Sequence, residues 1–259
     1  MRIARILLKL SQLSIERSFQ NPLAASFFIM GKLLRFGLFF YFVSTLVTHT
    51  KLLAGYTVDQ TVLFFLTFTI VDTLSQLLFR AVYSFRPLLV SGEFDHILTK
   101  PFHPFVVVLF GAIDILDAIV LVLYMGITGF IMTQTTGIAA LHLGLYAAFI
   151  VNSLLIAMAF HIAILAMGII TIEVDHTAMI YRDMSRLGSF PIEIYKEPLR
   201  SIVTFIIPIG IMMSVPAQAL LGMVPAQALI VYGAISVFFV GLSLGFWRYA
   251  LQYYQSWGS

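Results

Sequence analysis

The chain has 259 residues, 60% of them apolar and only 10% charged, with a mean hydropathy of +0.99. A soluble domain carries about 25% charged residues, and too little polar surface remains here to cover a water-facing globule. Soluble enzymes, disulfide scaffolds (there is no cysteine) and disordered chains are excluded. The net charge of +3 then becomes a question of where the basic residues sit relative to a bilayer, not of nucleic-acid binding.

At the N-terminus Ile3, Ile6, Leu7, Leu10 and Leu13 recur at helical spacing, with Arg2, Arg5, Lys9, Gln12 and Glu16 opposite. This pattern predicts an amphipathic helix over 1–21 lying in the cytoplasmic interface and ending at Asn21-Pro22. An ordinary cytoplasmic extension of the first span fits the same pattern. A bilayer core of about 30 Å needs roughly 20 helical residues. One span is expected over 23–48, interrupted by Lys32 and Arg35, and a second over 58–80, carrying Asp72. No Asp, Glu, Lys or Arg occurs in the 55 residues between Asp117 and Glu173, nor in the 47 between Arg200 and Arg248. Each stretch suits two spans, predicted at 105–132 and 141–171, then at 199–215 and 225–247. The first pair breaks at Thr133-Gln134-Thr135-Thr136-Gly137 and the second around Pro216, Gly222 and Pro225. The fold class is therefore all-α, a polytopic membrane protein with six transmembrane helices; the runs are apolar all round, unlike the alternating strands of a barrel. With this count, fourteen of the fifteen Lys and Arg fall on one side and only Lys51 on the other, which places both termini in the cytoplasm.

Two segments on that side look structured. In the first, 81–104, Ser91 suits an N-cap, Glu93 and Asp95 suit a first turn, and Phe94, Ile97 and Leu98 share a face before Pro101 stops the helix. A short surface helix with an apolar stripe and a charged rim is expected. In the second, 172–198, Ile172, Met179 and Leu187 can face one side of a helix, Gly188 suits its C-terminal cap, and 190–195 reads as extended chain before Pro198.

The string Gly92-Glu93-Phe94-Asp95-His96-Ile97-Leu98-Thr99-Lys100-Pro101 stands two spans before a second one. That second string is Arg182-Asp183-Met184-Ser185-Arg186-Leu187-Gly188-Ser189-Phe190-Pro191-Ile192-Glu193-Ile194-Tyr195, followed by Pro198-Leu199-Arg200, Ile207-Pro208 and Pro216-Ala217. In order and spacing, over essentially the whole chain, this resembles an ABC-2-type transporter permease, in the branch usually labelled uncharacterised ABC transport system permease. The resemblance implies a half-transporter of the bacterial inner membrane. Two such subunits, identical or related, would form the pathway in membrane lipid, and separate cytoplasmic ABC ATPase subunits would bind beneath. It implies that 92–100 is the coupling helix (Gly92, Glu93, Phe94, Asp95, Ile97, Leu98 and Lys100, with Pro101 after it), that 1–21 is the elbow helix and that 215–224 is a re-entrant external hairpin. It also implies a role for the second cytoplasmic motif, Arg182, Arg186, Phe190, Pro191, Tyr195 and Arg200. Within the hairpin, Val215-Pro216-Ala217-Gln218-Ala219-Leu220 recurs as Val224-Pro225-Ala226-Gln227-Ala228-Leu229, suggesting two short helices broken at Gly222, or a chance duplication.

No phosphate loop is present: Gly31-Lys32 is the only Gly-Lys pair, and Leu33 stands where Ser or Thr is needed. ATP hydrolysis is therefore expected from a partner, with no cofactor, metal or catalytic residue on this chain. The six histidines are scattered. His161, deep in a span, suits hydrogen-bonded packing better than ligation. Asp114-x-x-Asp117 resembles half of a diphosphate-binding acidic pair, but no second pair supports an enzyme. Charges inside a bilayer face protein or water. Lys32 and Arg35 on the first span and Asp114 and Asp117 on the third are expected to neutralise each other or to line the cytoplasmic entrance; alternatively the bases snorkel to headgroups and the aspartates bond locally. The rival reading, an ATP-independent secondary transporter or channel, calls for inverted repeats and a polar midplane site, of which the sequence shows little.

Overall fold

The computed structural model describes residues 20–50 (side chains to 46), 54–101, 103–135 and 137–255, together with the single positions Lys9, Gln12, Leu13 and Glu16. The expected interfacial helix over 1–21 lies for the most part outside the described residues. In chain order the helices are α1 (Pro22–Thr50), α2 (Val58–Leu78), a 3-10 turn (Arg80–Ser84), α3 (Phe85–Val90), α4 (Glu93–Leu98), α5 (Pro104–Phe110), α6 (Ile115–Gln134), α7 (Ala140–Thr171) and α8 (Val174–Ser185). Two 3-10 turns (Arg186–Ser189 and Ile192–Ile194) lead to α9 (Leu199–Ser201), a π-turn (Ile202–Ile206), α10 (Ile209–Met213), α11 (Val215–Leu220) and α12 (Ala228–Gln252). No strand occurs among the described residues.

Five of these helices, α1, α2, α6, α7 and α12, are long and apolar enough to cross a membrane. The longest, α7, has 32 residues and is the mast of the fold; α12 lies along it, and α2, α8, α10 and α11 pack around it. Helix α2 is the most enclosed: it opens on a capping box in which Thr57 and Gln60 satisfy each other's backbone N–H groups. Two of its buried hydroxyls turn to carbonyls one turn back, Thr69 to Phe65 at 2.7 Å and Ser75 to Val71 at 2.7 Å. Such back-bonding pairs these two hydroxyls where no water is at hand. Helix α1 lies outermost, with little besides Ala25 and Val43 buried.

The expected span at 199–215 is not a continuous helix. Pro208 has no N–H to give, and it forces Ile207 out of the helical region (φ −118°, ψ 86°). The stretch therefore folds as a π-turn and three pieces of three to six residues. The repeat beside it is also unequal. Its first copy forms α11, whereas the second is a turn leading into α12. Between them Gly222 adopts φ 72°, packed on the His142 ring at the start of α7.

The segment 172–198 does not stay at one end of the bundle. After the reversal at Ile172 (φ 60°), α8 runs back along α7, with Tyr181 against Phe160 and His161. Phe190 then meets Phe39 of α1 at 5.2 Å. By Glu193 the chain has reached Gln218, beside Tyr56, at the end where α2 and α7 begin. The far part of the segment thus lies at the end of the bundle where α2 and α7 begin, the end where the sequence reading put the external loops. Nor does Gly188 cap a helix. It sits in a 3-10 turn, buried where an added Cβ would fall inside the Met213 side chain, so glycine is there for close approach.

Candidate functional site

Two places carry the residues singled out above. The first is the short helix α4, at the end of the bundle where α2 and α7 finish. Its N-cap is Gly92, in a left-handed turn at φ 73° that a side chain would strain, not Ser91, whose hydroxyl only accepts from Glu93 N at 3.4 Å. The stripe Phe94, Ile97 and Leu98 is not one surface. Phe94 is fully buried, Ile97 half-buried against the core and Leu98 exposed. The Phe94 ring stands edge-on to Phe85 at 5.0 Å and to Tyr254 at 5.2 Å. Tyr254, just past α12, donates its hydroxyl to Asp95 at 2.7 Å, and burial with the neighbouring Asp95 carboxylate pushes that phenol up to about 12. Trp247 of α12 packs on Phe85 from behind. Helix α4 is thus bolted to α3 and α12 by one face, while Glu93, His96, Leu98 and Lys100 remain exposed. Sequence reasoning missed this bolt. The tyrosines after α12 look like an interfacial belt, and nothing local ties Tyr254 to a residue 159 positions earlier.

The second place is a cavity of about 230 Å³ between α1, α2 and α8. Lys32, Arg35, Arg182 and Arg186 line it, with Asp72 and Gln76, and aromatic rings including Phe36, Phe65 and Phe68 make its walls. The anticipated exchange of charge between α1 and α6 occurs for one pair: Lys32 bonds the fully buried Asp117. Asp114 instead takes Arg80 at 3.5 Å and caps α6, accepting from Leu116 N at 3.0 Å. Arg35 therefore has no carboxylate within 4.0 Å among the described residues, and it faces Asp72, whose carboxylate accepts from Gln76 at 2.8 Å. Arg182 stacks over the Tyr83 ring at 4.8 Å, and Arg186 pairs with Asp183 at 2.7 Å.

The other residues of the second motif are structural or lie elsewhere. Phe190 packs on Phe39, Pro191 is buried, and the Tyr195 hydroxyl donates to Leu187 O at 2.8 Å. Arg200 faces Glu193 at 3.8 Å, and Gln218 donates to that same carboxylate at 2.5 Å. Burial, then the Glu193 carboxylate, pushes the Tyr56 phenol up to about 12. His161 is a packing residue: its Nδ1 lies 2.7 Å from Ala157 O and its ring is boxed by Phe79, Tyr83 and Tyr181. No group of three His, Cys, Asp or Glu able to hold a metal occurs among the described residues.

Residues 33–258 match the sequence pattern described as "ABC-2 family transporter protein". No curated protein matches the chain.

Proposed function

The chain belongs to the ABC-2 family of transporter proteins, and on that premise we propose that it is the pathway-forming permease subunit of an ATP-driven exporter, worked by a separate ATPase. The observation that carries this reading is the docking of α4. A six-residue helix that exposes Glu93, His96 and Leu98 to the aqueous end, while Phe94 and Tyr254 tie it to α3 and α12, suits a part that another protein grips and moves. A push on α4 reaches α12 through Phe94 and Tyr254, and α12 lies along α7. Closure of an ATPase dimer beneath two such subunits then shifts the paired helices and opens a path for an amphipathic or lipid-like cargo.

The sixth crossing in this proposal is the α8 segment in place of 199–215. Twelve helical residues rise about 18 Å, and the ten that follow, as 3-10 turns and extended chain, add roughly 20 Å. Together they span a core of about 30 Å. The pieces from α9 to α11 then form a re-entrant outer cap. Lys196 and Arg200 join Lys51 on the outer side, and the remaining basic residues still favour cytoplasmic termini in a bacterial inner membrane.

The test is co-purification from native membranes. A phosphate-loop ATPase should accompany the tagged permease, and reconstituted transport should need ATP. Full-speed transport by the subunit alone, without nucleotide, would refute the reading and favour a secondary transporter.

A further inference from the structure

We propose that the cavity between α1, α2 and α8 is a binding site for the anionic headgroup, phosphate or a phosphate-like acid, of an amphipathic molecule. The inference rests on the permease reading for its biological setting but not for its test. Among the cations around the cavity, Lys32 is matched by Asp117 and Arg186 by Asp183. Arg35 and Arg182 are left facing a single carboxylate, Asp72, that no Lys or Arg approaches within 4.0 Å among the described residues. The immediate surroundings therefore hold one more positive charge than negative, inside a wall of phenylalanines. An unbalanced cation in such a place is unfavourable, and an entering anion removes the imbalance. Guanidinium groups suit that role because their planar forks bind phosphate oxygens two at a time. The cavity, at about 230 Å³, has room for such a group with water around it. Phe36, Phe65 and Phe68 offer the attached tail an apolar surface beside the charge. A cationic ring next to aromatic rings thus selects a negatively charged amphiphile over a neutral sugar or an inorganic ion.

The sign of the Asp72 effect separates a binding role from a structural one. If the arginines exist only to neutralise Asp72, removing that carboxylate gains nothing for an anion. If they are a binding site, Asp72 competes with the ligand and its removal tightens binding.

The experiment uses the full-length permease in phosphatidylcholine nanodiscs, without ATPase or nucleotide, so that failure of the transport reading leaves it unaffected. Dodecyl phosphate is titrated against the thermal midpoint and against amide exchange over 182–190. Dodecyltrimethylammonium and inorganic phosphate serve as controls. Saturable protection by dodecyl phosphate alone is expected, weakened about tenfold or more by Arg35→Gln and tightened severalfold by Asp72→Asn. Arg182→Gln, at an exposed side chain, should weaken binding without unfolding the protein and covers the case in which Arg35→Gln does not fold. Discs containing phosphatidylglycerol assign the source: loss of the dodecyl phosphate response means that bilayer lipid fills the site, and a retained response means a transported or soluble amphiphile. Equal responses to the cationic and anionic amphiphiles, indifference to Arg35→Gln and Arg182→Gln, or weaker binding in Asp72→Asn would overturn the proposal.

Discussion

Replacing Phe94 by alanine is the sharpest perturbation of the α4 joint. The ring is 0% exposed and touches Phe85 and Tyr254 edge-on, at 5.0 and 5.2 Å. Removing a buried phenylalanine costs about 3–5 kcal/mol, and each edge-to-face ring contact accounts for about 0.5–1.5 kcal/mol of such an environment. Helix α4 is only six residues long and cannot hold itself without packing, so the loss falls on its docking and not on the bundle. At the low end, about 3 kcal/mol raises the opening constant of the segment by roughly a hundredfold. The assay is amide exchange over 93–99 in the purified permease, alongside exchange in α7 as an internal reference. Phe94→Ala should accelerate the first and leave the second unchanged; it should also abolish ATPase coupling while the protein still inserts. Leu98→Ala, at an exposed position, should weaken ATPase binding without changing exchange. If Phe94→Ala leaves the exchange of 93–99 untouched, the ring does not hold the helix and the argument for a force-bearing joint collapses.

Lys32→Met strands the buried Asp117 carboxylate and should lower stability by about 3–5 kcal/mol, seen as a large drop in the thermal midpoint; Lys32→Met/Asp117→Leu should recover most of it. Gly188→Ala drives a methyl into Met213, which is fully buried, and should cost about 1–3 kcal/mol, whereas Gly233→Ala on α12 meets nothing within 4 Å and should be neutral or slightly stabilising in the same melt. Because the chain has no cysteine, single replacements report sidedness directly: Lys196→Cys should react with an impermeant maleimide from outside intact cells and Lys100→Cys only after permeabilisation. Labelling of Lys196→Cys from inside alone would restore a cytoplasmic 172–198. Tyr254→Phe removes one hydroxyl bond to a carboxylate and should loosen α4 by about 1–2 kcal/mol, a smaller increase in exchange over 93–99 than Phe94→Ala.

Much of the architecture is written in local composition. The charge-free runs of 55 and 47 residues call for lipid-facing helices; of the six expected spans, 23–48, 58–80, 141–171 and 225–247 appear as long helices, and 105–132 appears in part, as α6 from Ile115 after a break at 111–114. The Lys32–Asp117 pair was one of the neutralisations anticipated, because charges inside a bilayer need partners and few were available. The acidic turn and proline around α4 also mark a short helix by themselves, although its cap is Gly92 and not the expected Ser91.

What the tertiary structure alone decided are relations between distant residues. Polar content by itself sends a segment to water, yet α8, which carries Arg182 and Asp183 with Arg186 at its end, packs along α7 and lends Arg182 and Arg186 to the cavity. Composition therefore assigned that segment to the aqueous side, while packing along α7 draws it inward. Conversely, 199–215 is apolar enough to span, yet Pro208 and the π-turn break its hydrogen-bond ladder, and only neighbouring elements such as Gly188 and Ile192 give the fragments a place to fold. Which face of α4 is buried depends likewise on Phe85 and Tyr254. Hydropathy is a property of each residue in turn, whereas burial and charge balance belong to whatever the fold sets beside it.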